Sequence, residues 1–426
     1  MHKGSLSLCL FILLLVNVPQ VSAQETAPLV SEDSESKLIK RKSIVIVRKR
    51  TEQAETRGIE LENYVFMPNI TFTEYYDDNL FATDSNEKSD WITVVTPTFD
   101  LKSNWKQHKF NVDAGFEAVR HSERASENTD NAWLNLNGQY DTSKNGRLFA
   151  GYSYMRDHED RGSVDSEAGD EPTEFDDISI DLGYSGNQGS HYFKIALNSR
   201  RLDFDDVGSP LGTIAYNDRD RDDDKIGLRY LFKYSATMAF FVDTETDRRD
   251  YRQTPDNEGN DRNSDGLSYA VGFEWVSPGT VGRVFVGQLE RDYESSAFED
   301  ADETDFGLQL RWKISPVTNL IARSSRSIGE TTLDNSPGYL LDNLLLRLNV
   351  ALSEEKALSF GLIGSTADYF AIDREDDYLD LGVEYSQQLF SNLKFEVELH
   401  RAERESNIDG EDYNIDQIFF RINAAI

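Results

Sequence analysis

The chain has 426 residues, 38% hydrophobic and 11% aromatic, with 77 acidic against 44 basic side chains and a net charge of -33. Its 24 Phe, 19 Tyr and 5 Trp exclude a disordered polyelectrolyte, despite a mean hydropathy of -0.57. The charge excludes a nucleic-acid partner, and no apolar run after residue 23 is long enough for a membrane helix.

Residues 1–23 read as a secretory signal peptide. Lys3 supplies the positive start, Leu6 to Val16 the apolar run, and Val21-Ser22-Ala23 the compact residues before a cut at Gln24. Cys9, the single cysteine, lies inside that run and leaves with it. Neither a disulfide nor a thiol site is then expected.

Residues 24–64 form a polar tail whose basic cluster includes Lys40, Arg41, Lys42, Arg48, Lys49 and Arg50. A mobile periplasmic tail is one reading. The other is a segment that docks on a periplasmic partner or folds into an acidic barrel mouth.

From residue 65 to 426 the pattern changes to segments of alternating apolar and polar side chains. Phe110, Val112, Ala114, Phe116 and Ala118 share one face against Asn111, Asp113, Gly115 and Glu117. The same holds for Ile226, Leu228, Tyr230 and Phe232, for Phe306, Leu308, Leu310, Trp312 and Ile314, and for Ile418, Phe420, Ile422 and Ala424. Phe419 is an apolar exception on the polar side. A helix would scatter these residues around its circumference, whereas a strand gathers them. Short turns near 141–146, 186–189, 278–280 and 353–356 alternate with nine longer acidic loops. Nine long and eight short connections require about eighteen antiparallel strands. The alternation blurs over Val281–Tyr293 and Thr318–Arg326, which leaves sixteen as the other count.

The expected fold is therefore all-β: a transmembrane up-and-down barrel in the outer membrane, with short periplasmic turns and long extracellular loops beside lipopolysaccharide. A soluble sandwich or propeller fits less well, because the chain has no blade-length repeat and its apolar faces end in aromatic residues.

The polar face should line the lumen. Its expected members include Asp113, Glu117, Lys194, Arg200, Arg229, Lys233, Asp243, Glu274, Arg311, Lys313, Arg347, Glu384, Glu396, Glu398 and Arg421. Acids and bases nearly balance there, which argues against a strongly anion-selective pore and assigns the surplus negative charge to the loops. Asn217 to Asp224 and Asp256 to Asp265 read as solvated acidic loops. Asp261, Asn263 and Asp265 match the opening of a calcium loop, but the twelfth position is Gly272 and strand follows. No tight metal site or other cofactor is expected, only loosely held Ca²⁺. Of the histidines after residue 23, His400 alone falls mid-strand, beside Glu398. A hydrolase centred on it is the remote reading, and no catalytic residue is assigned.

The barrel's first hairpin runs Pro68-Asn69-Ile70, then Tyr75-Tyr76-Asp77-Asp78-Asn79-Leu80-Phe81, Ser89-Asp90-Trp91-Ile92 and Pro97. This resembles the putative β-barrel porin type 2 family. The resemblance implies a non-enzymatic channel that takes part in exopolysaccharide or capsule export, or in oligosaccharide passage, and implies no catalytic residues. A closed barrel anchoring a surface or secretion assembly through its tail and loops is the alternative.

Overall fold

The computed structural model describes residues 58–165 and 169–425. The leader, the basic cluster Lys40 to Arg50 and Ile426 fall outside the described residues. Eighteen strands of 12 to 16 residues form the wall. They are β1 (Tyr64–Asp77), β2 (Asp90–Ser103), β3 (Lys109–His121), β4 (Thr129–Ser143), β5 (Gly146–His158) and β6 (Glu174–Gln188). Next come β7 (His191–Phe204), β8 (Arg221–Lys233), β9 (Met238–Tyr251), β10 (Ser264–Ser277), β11 (Thr280–Tyr293) and β12 (Ala301–Ser315). The last six are β13 (Thr318–Gly329), β14 (Tyr339–Ala351), β15 (Lys356–Tyr369), β16 (Glu375–Phe390), β17 (Leu393–Ser406) and β18 (Tyr413–Ala425).

Each strand pairs antiparallel with the next, and β18 returns to β1 from Asn69↔Ala425 to Asp77↔Gln417. The sheet is a closed cylinder without an edge, so every strand satisfies its backbone polar groups within the wall. At the seam, Asn69 and Asn423 exchange side-chain hydrogen bonds of 2.9 and 3.0 Å, and Asn423 also donates to Thr71. Residues 59–61 add a short strand on Tyr64–Phe66, and a two-stranded ribbon, Val207–Ser209 with Gly212–Ile214, decorates one loop.

Nine longer connections, among them 78–89, 159–173, 205–220, 252–263 and 330–338, share one end of the cylinder. Eight shorter ones, from 104–108 to 391–392, share the other. By the rule for such barrels the short turns are periplasmic.

The outer face is split by height. On β8 it runs Asp222, Asp224, then Ile226, Leu228, Tyr230 and Phe232; on β10 it runs Asp265, then Leu267, Tyr269, Val271, Phe273 and Trp275. Nine residues at about 3.4 Å each span roughly 30 Å along a strand, which tilt brings close to the ~25 Å lipid band of such barrels. Aromatic pairs concentrate at the short-turn rim: Tyr64–Trp105, Phe66–Phe99, His108–Tyr140, Tyr184–Phe193 and Tyr234–Phe240. Their position marks the inner interface.

Two sequence expectations need correction here. Arg221 to Asp224 are not loop but the first residues of β8, and Asp265 likewise belongs to β10. The surplus acid is therefore not confined to loops. Strands project past the lipid band, and their upper outer faces carry pairs such as Arg201–Asp222, Arg248–Asp250 and Arg401–Asp416, at 2.8, 2.8 and 3.1 Å. These pairs are solvated and add little stability.

Inside, several glycines sit beneath aromatic rings from the neighbouring strand. A Cβ on Gly272 would meet Phe241 Cζ at 2.5 Å and collide with the Val284 carbonyl oxygen, while one on Gly227 would meet only Glu245 Oε2 at 4.0 Å. Gly272→Ala is expected to lower the temperature at which the folded band converts to the unfolded one on a gel, by an overpacking cost of about 1–3 kcal/mol. Gly227→Ala should leave that temperature where it was; equal behaviour of the two variants would contradict this packing.

Candidate functional site

The inner face follows from register. Asp113 lies opposite Asn135, Asn135 opposite Ser153, Ser153 opposite Ser179, Ser179 opposite Arg200, and Arg200 opposite Asp223. Glu117, Lys194, Arg229, Lys233, Asp243, Glu274, Arg311, Lys313, Arg347, Glu384, Glu396, Glu398 and Arg421 occupy positions of that same face.

Many of these charges meet along the wall, between neighbouring or next-but-one strands, rather than across the lumen. Arg229 reaches Glu274 and Asp243, and Arg283 reaches Asp243. Arg200 forms a two-pronged pair with Asp177 at 2.9 Å on both prongs, and Arg421 binds Glu398 at 2.6 Å. Two-pronged geometry fixes side-chain direction as well as charge. Guanidinium groups of Arg229 and Arg283 also lie 5.0 and 4.3 Å from the ring centre of Phe241, which is 2% exposed. Leu231, Ala239, Phe241, Tyr192 and Phe285 thus make an apolar patch on the inner wall, roofed by cations.

Phe419, the exception to the alternation, stacks on Tyr75 across the seam at 4.7 Å, with Arg421 4.5 Å above its ring. It is a lumen residue. His400 binds Asp380 through Nε2 at 2.5 Å and Gln417 through Nδ1 at 3.0 Å. Both ring nitrogens are engaged, so the ring presents neither to a hydroxyl nucleophile.

The long-loop end is built differently. Residues 159–165 leave β5 and reach across the mouth. Glu159 pairs with Arg219 at 2.5 Å, Arg161 with Glu127 on both oxygens at 2.8 Å, and the Gly162 carbonyl accepts from Arg404 of β17 at 3.3 Å. The Asp165 carboxylate accepts from the Thr331 hydroxyl at 2.6 Å and the Thr332 N–H at 3.0 Å. The β13–β14 loop lies eight strands from β5, so these contacts bridge opposite sides of the cylinder.

Beside them, Arg249 binds Glu330, which also accepts from the Tyr251 hydroxyl at 2.7 Å. Arg262 binds Asp256 at 2.5 Å and donates to the carbonyls of Thr331 and Ser336 at 2.7 and 2.9 Å. Arg374 pairs with Asp376 at 2.9 Å and with Glu411 at 3.2 Å. Burial works against the charge on Arg219, but the facing Glu159 carboxylate outweighs it and raises the guanidinium pKa above its ordinary value. Burial also pushes the Asp218 carboxyl up, with Asp256 adding and the Asn257 N–H opposing.

Sequence reading missed this lattice. Its signal was present as arginines set among aspartates, in Asn217 to Asp224 and Asp256 to Asp265, which were expected to be solvated. The three residues of the calcium candidate have these surroundings. Asp261 accepts from the Asn263 N–H, Asn263 accepts from the Tyr251 N–H, and Asp265 faces outward on β10. Among the described residues no three acidic or histidine side chains gather as metal ligands.

A closed antiparallel cylinder with an apolar belt, an aromatic rim and a wet, charged interior defines an outer-membrane β-barrel of porin type. The chain belongs to the family described as putative beta-barrel porin 2, whose profile matches residues 53–425. Among solved structures, it is similar to OccK2 (OpdF) of Pseudomonas aeruginosa, at 10% identity and TM-score 0.48 over 86% of this chain and 98% of that one. It is also similar to the vanillate complex of OpdK from that organism, at 10% and 0.47 over 85% and 98%. A point mutant of the ferric enterobactin receptor PfeA, again from that organism, aligns at 8% and 0.46 over 88% and 81%. A search of curated proteins finds no match.

Proposed function

We propose that the protein is an outer-membrane channel for an exopolysaccharide or its oligosaccharides, exported to that membrane by a leader that ends at residue 23. The observation that carries this reading is the chemistry of the inner wall. Asn135 donates to Asp113, Asn131 to Glu117 and Asn198 to Asp181, while Phe419, Tyr75, Trp133 and Phe149 interrupt these polar rows at inner-face positions. Carboxylates and amides exchange hydrogen bonds with sugar hydroxyls, and rings offer flat apolar surface to sugar faces. Spread along the wall, such contacts are individually weak, which lets a chain move without being trapped. Loosely held Ca²⁺ between the acidic outer rim and lipopolysaccharide phosphates belongs to the same reading.

A second reading is favoured by the mouth lattice: a barrel closed by its loops that anchors an assembly, with Lys40, Arg41, Lys42, Arg48, Lys49 and Arg50 docking a periplasmic export component. Planar-bilayer recordings on the purified chain separate the two. The channel reading expects unitary conductance that maltohexaose blocks from the periplasmic side. A barrel that stays silent, even after the lattice is broken as described below and residues 24–57 are removed, would leave only the anchor.

A further inference from the structure

The lumen charges sort by wall. Most inner-face arginines are tied to carboxylates, as Arg200, Arg229, Arg283 and Arg421 show. Arg311 and Lys313 of β12 and Arg347 of β14 depart from this. Arg311 lies opposite Ile321, and Ile321 opposite Arg347; one step toward the periplasm Lys313 lies opposite Asn319 and Asn319 opposite Asn349. Arg323 sits one inner position toward the mouth, opposite Gln309 and Leu345.

Among the described residues, Arg311 and Lys313 have no carboxylate partner, and both are exposed to the lumen. Arg347 donates its Nε to Asn349 at 3.2 Å and has no carboxylate partner either. The inner faces of β13, β14 and β15 carry no Asp or Glu at all, since Asp342 and Asp368 point outward, and on β12 the inner acids Asp305 and Glu303 lie three and four inner positions nearer the mouth than Arg311. Strands nine apart in an eighteen-stranded cylinder face each other, so β13 faces β4. Its neighbourhood holds Asp113, Glu117 and Asp181 with their amide partners. At the depth of Arg311, Lys313 and Arg347 the lumen is polarised across its width, cationic on one side and carboxylate–amide on the other.

We propose that Arg311, Lys313 and Arg347 form a binding strip for the carboxylates of an acidic, uronate-bearing glycan. Neighbouring strands are about 4.8 Å apart, so Arg311 and Arg347, two strands apart, stand roughly 10 Å from each other. That spacing serves successive acidic groups of one extended chain better than one small anion. Guanidinium groups suit carboxylates because two parallel N–H donors match two oxygens. The opposite wall then takes the sugar hydroxyls. This inference rests on the channel reading for its transport role, but the strip's binding chemistry can be tested without conduction.

The test is calorimetric binding to the full chain in detergent micelles, with hexagalacturonate, maltohexaose and monomeric galacturonate as probes. Hexagalacturonate is expected to bind at least roughly tenfold more tightly than either other probe. Its affinity should fall as salt rises from about 0.1 M to about 1 M, where the screening length shrinks from ~10 Å to ~3 Å. Arg311→Gln and Lys313→Gln should each weaken it several-fold, and Arg311→Lys should lie between. Folding is checked independently by the heat-dependent gel shift. Equal affinity for hexagalacturonate and maltohexaose, or no change in the glutamine variants, would overturn the strip. Equal affinity of monomer and hexamer would overturn the glycan assignment. Saturable hexagalacturonate binding that the variants abolish, in a barrel that never conducts, would support the strip while the channel reading falls.

Discussion

Arg262→Ala is expected to loosen the outer mouth while leaving the barrel wall intact. The side chains of Arg262 and Asp256 are each 2% exposed, and the guanidinium also supplies the carbonyls of Thr331 and Ser336. Truncation strands a carboxylate in the interior and removes the donor that ties the 252–263 loop to the 330–338 loop. Breaking one partner of a buried pair costs about 3–5 kcal/mol, more than a surface loop has in reserve. Asp256 still accepts the N–H groups of Glu258 and Asn260, so the local turn should survive while docking between the loops is lost. The expected result is rapid protease cleavage within both loops and a larger or newly visible bilayer conductance, at an unchanged gel-shift temperature. Removing both charges, as in Arg262→Met with Asp256→Asn, should restore much of the protection, because no ion is then left unpaired. Loops that resist protease equally well in wild type and Arg262→Ala would mean the pair does not hold the mouth.

That lattice was the part least legible in the sequence, for a physical reason. An arginine among aspartates looks the same whether water or a distant loop satisfies it. The carbonyl partners of Arg262 lie at residues 331–336, and the nearest carboxylate to Arg249 belongs to Glu330. Such separations leave no local spacing signal. In the calcium-like run, one Asp261 carboxylate oxygen and the Asn263 amide oxygen accept backbone N–H groups, as turn formation demands.

The wall was far more legible, because a two-residue period survives any tertiary context in which one face meets lipid. Where the period blurred, single apolar residues had entered the inner face and a charged one the outer. On β11 the inner positions include Val281, Phe285 and Leu289, with Phe285 packed against the Leu231–Phe241 patch. On β13 the inner face holds Ile321, while outward Arg326 is neutralised by Asp342 through two bonds of 2.7 and 2.6 Å. Eighteen strands were countable even so, since alternating long and short connections record strand number independently of side-chain polarity.

The face assignment itself has a sharp test in two adjacent residues of β8. Leu228 points to lipid and is 49% exposed, near the middle of the Ile226–Phe232 apolar stretch; Gly227 points inward with open space beyond its Cα. Arginine at a lipid-facing position near the bilayer midplane costs about 2–4 kcal/mol, whereas the lumen offers water and counter-charge. Leu228→Arg is therefore expected to cut the yield of folded, heat-shiftable barrel in lipid vesicles by roughly thirtyfold or more, the factor that ~2 kcal/mol or more implies. Gly227→Arg should fold normally beside Glu245, its opposite on β9, and change conductance instead. A sheet of the reverse sidedness would exchange these outcomes, and a soluble sandwich would fold both variants without vesicles. One residue's displacement along the chain thus decides between lipid and water, because in a closed wall of period two no third environment exists.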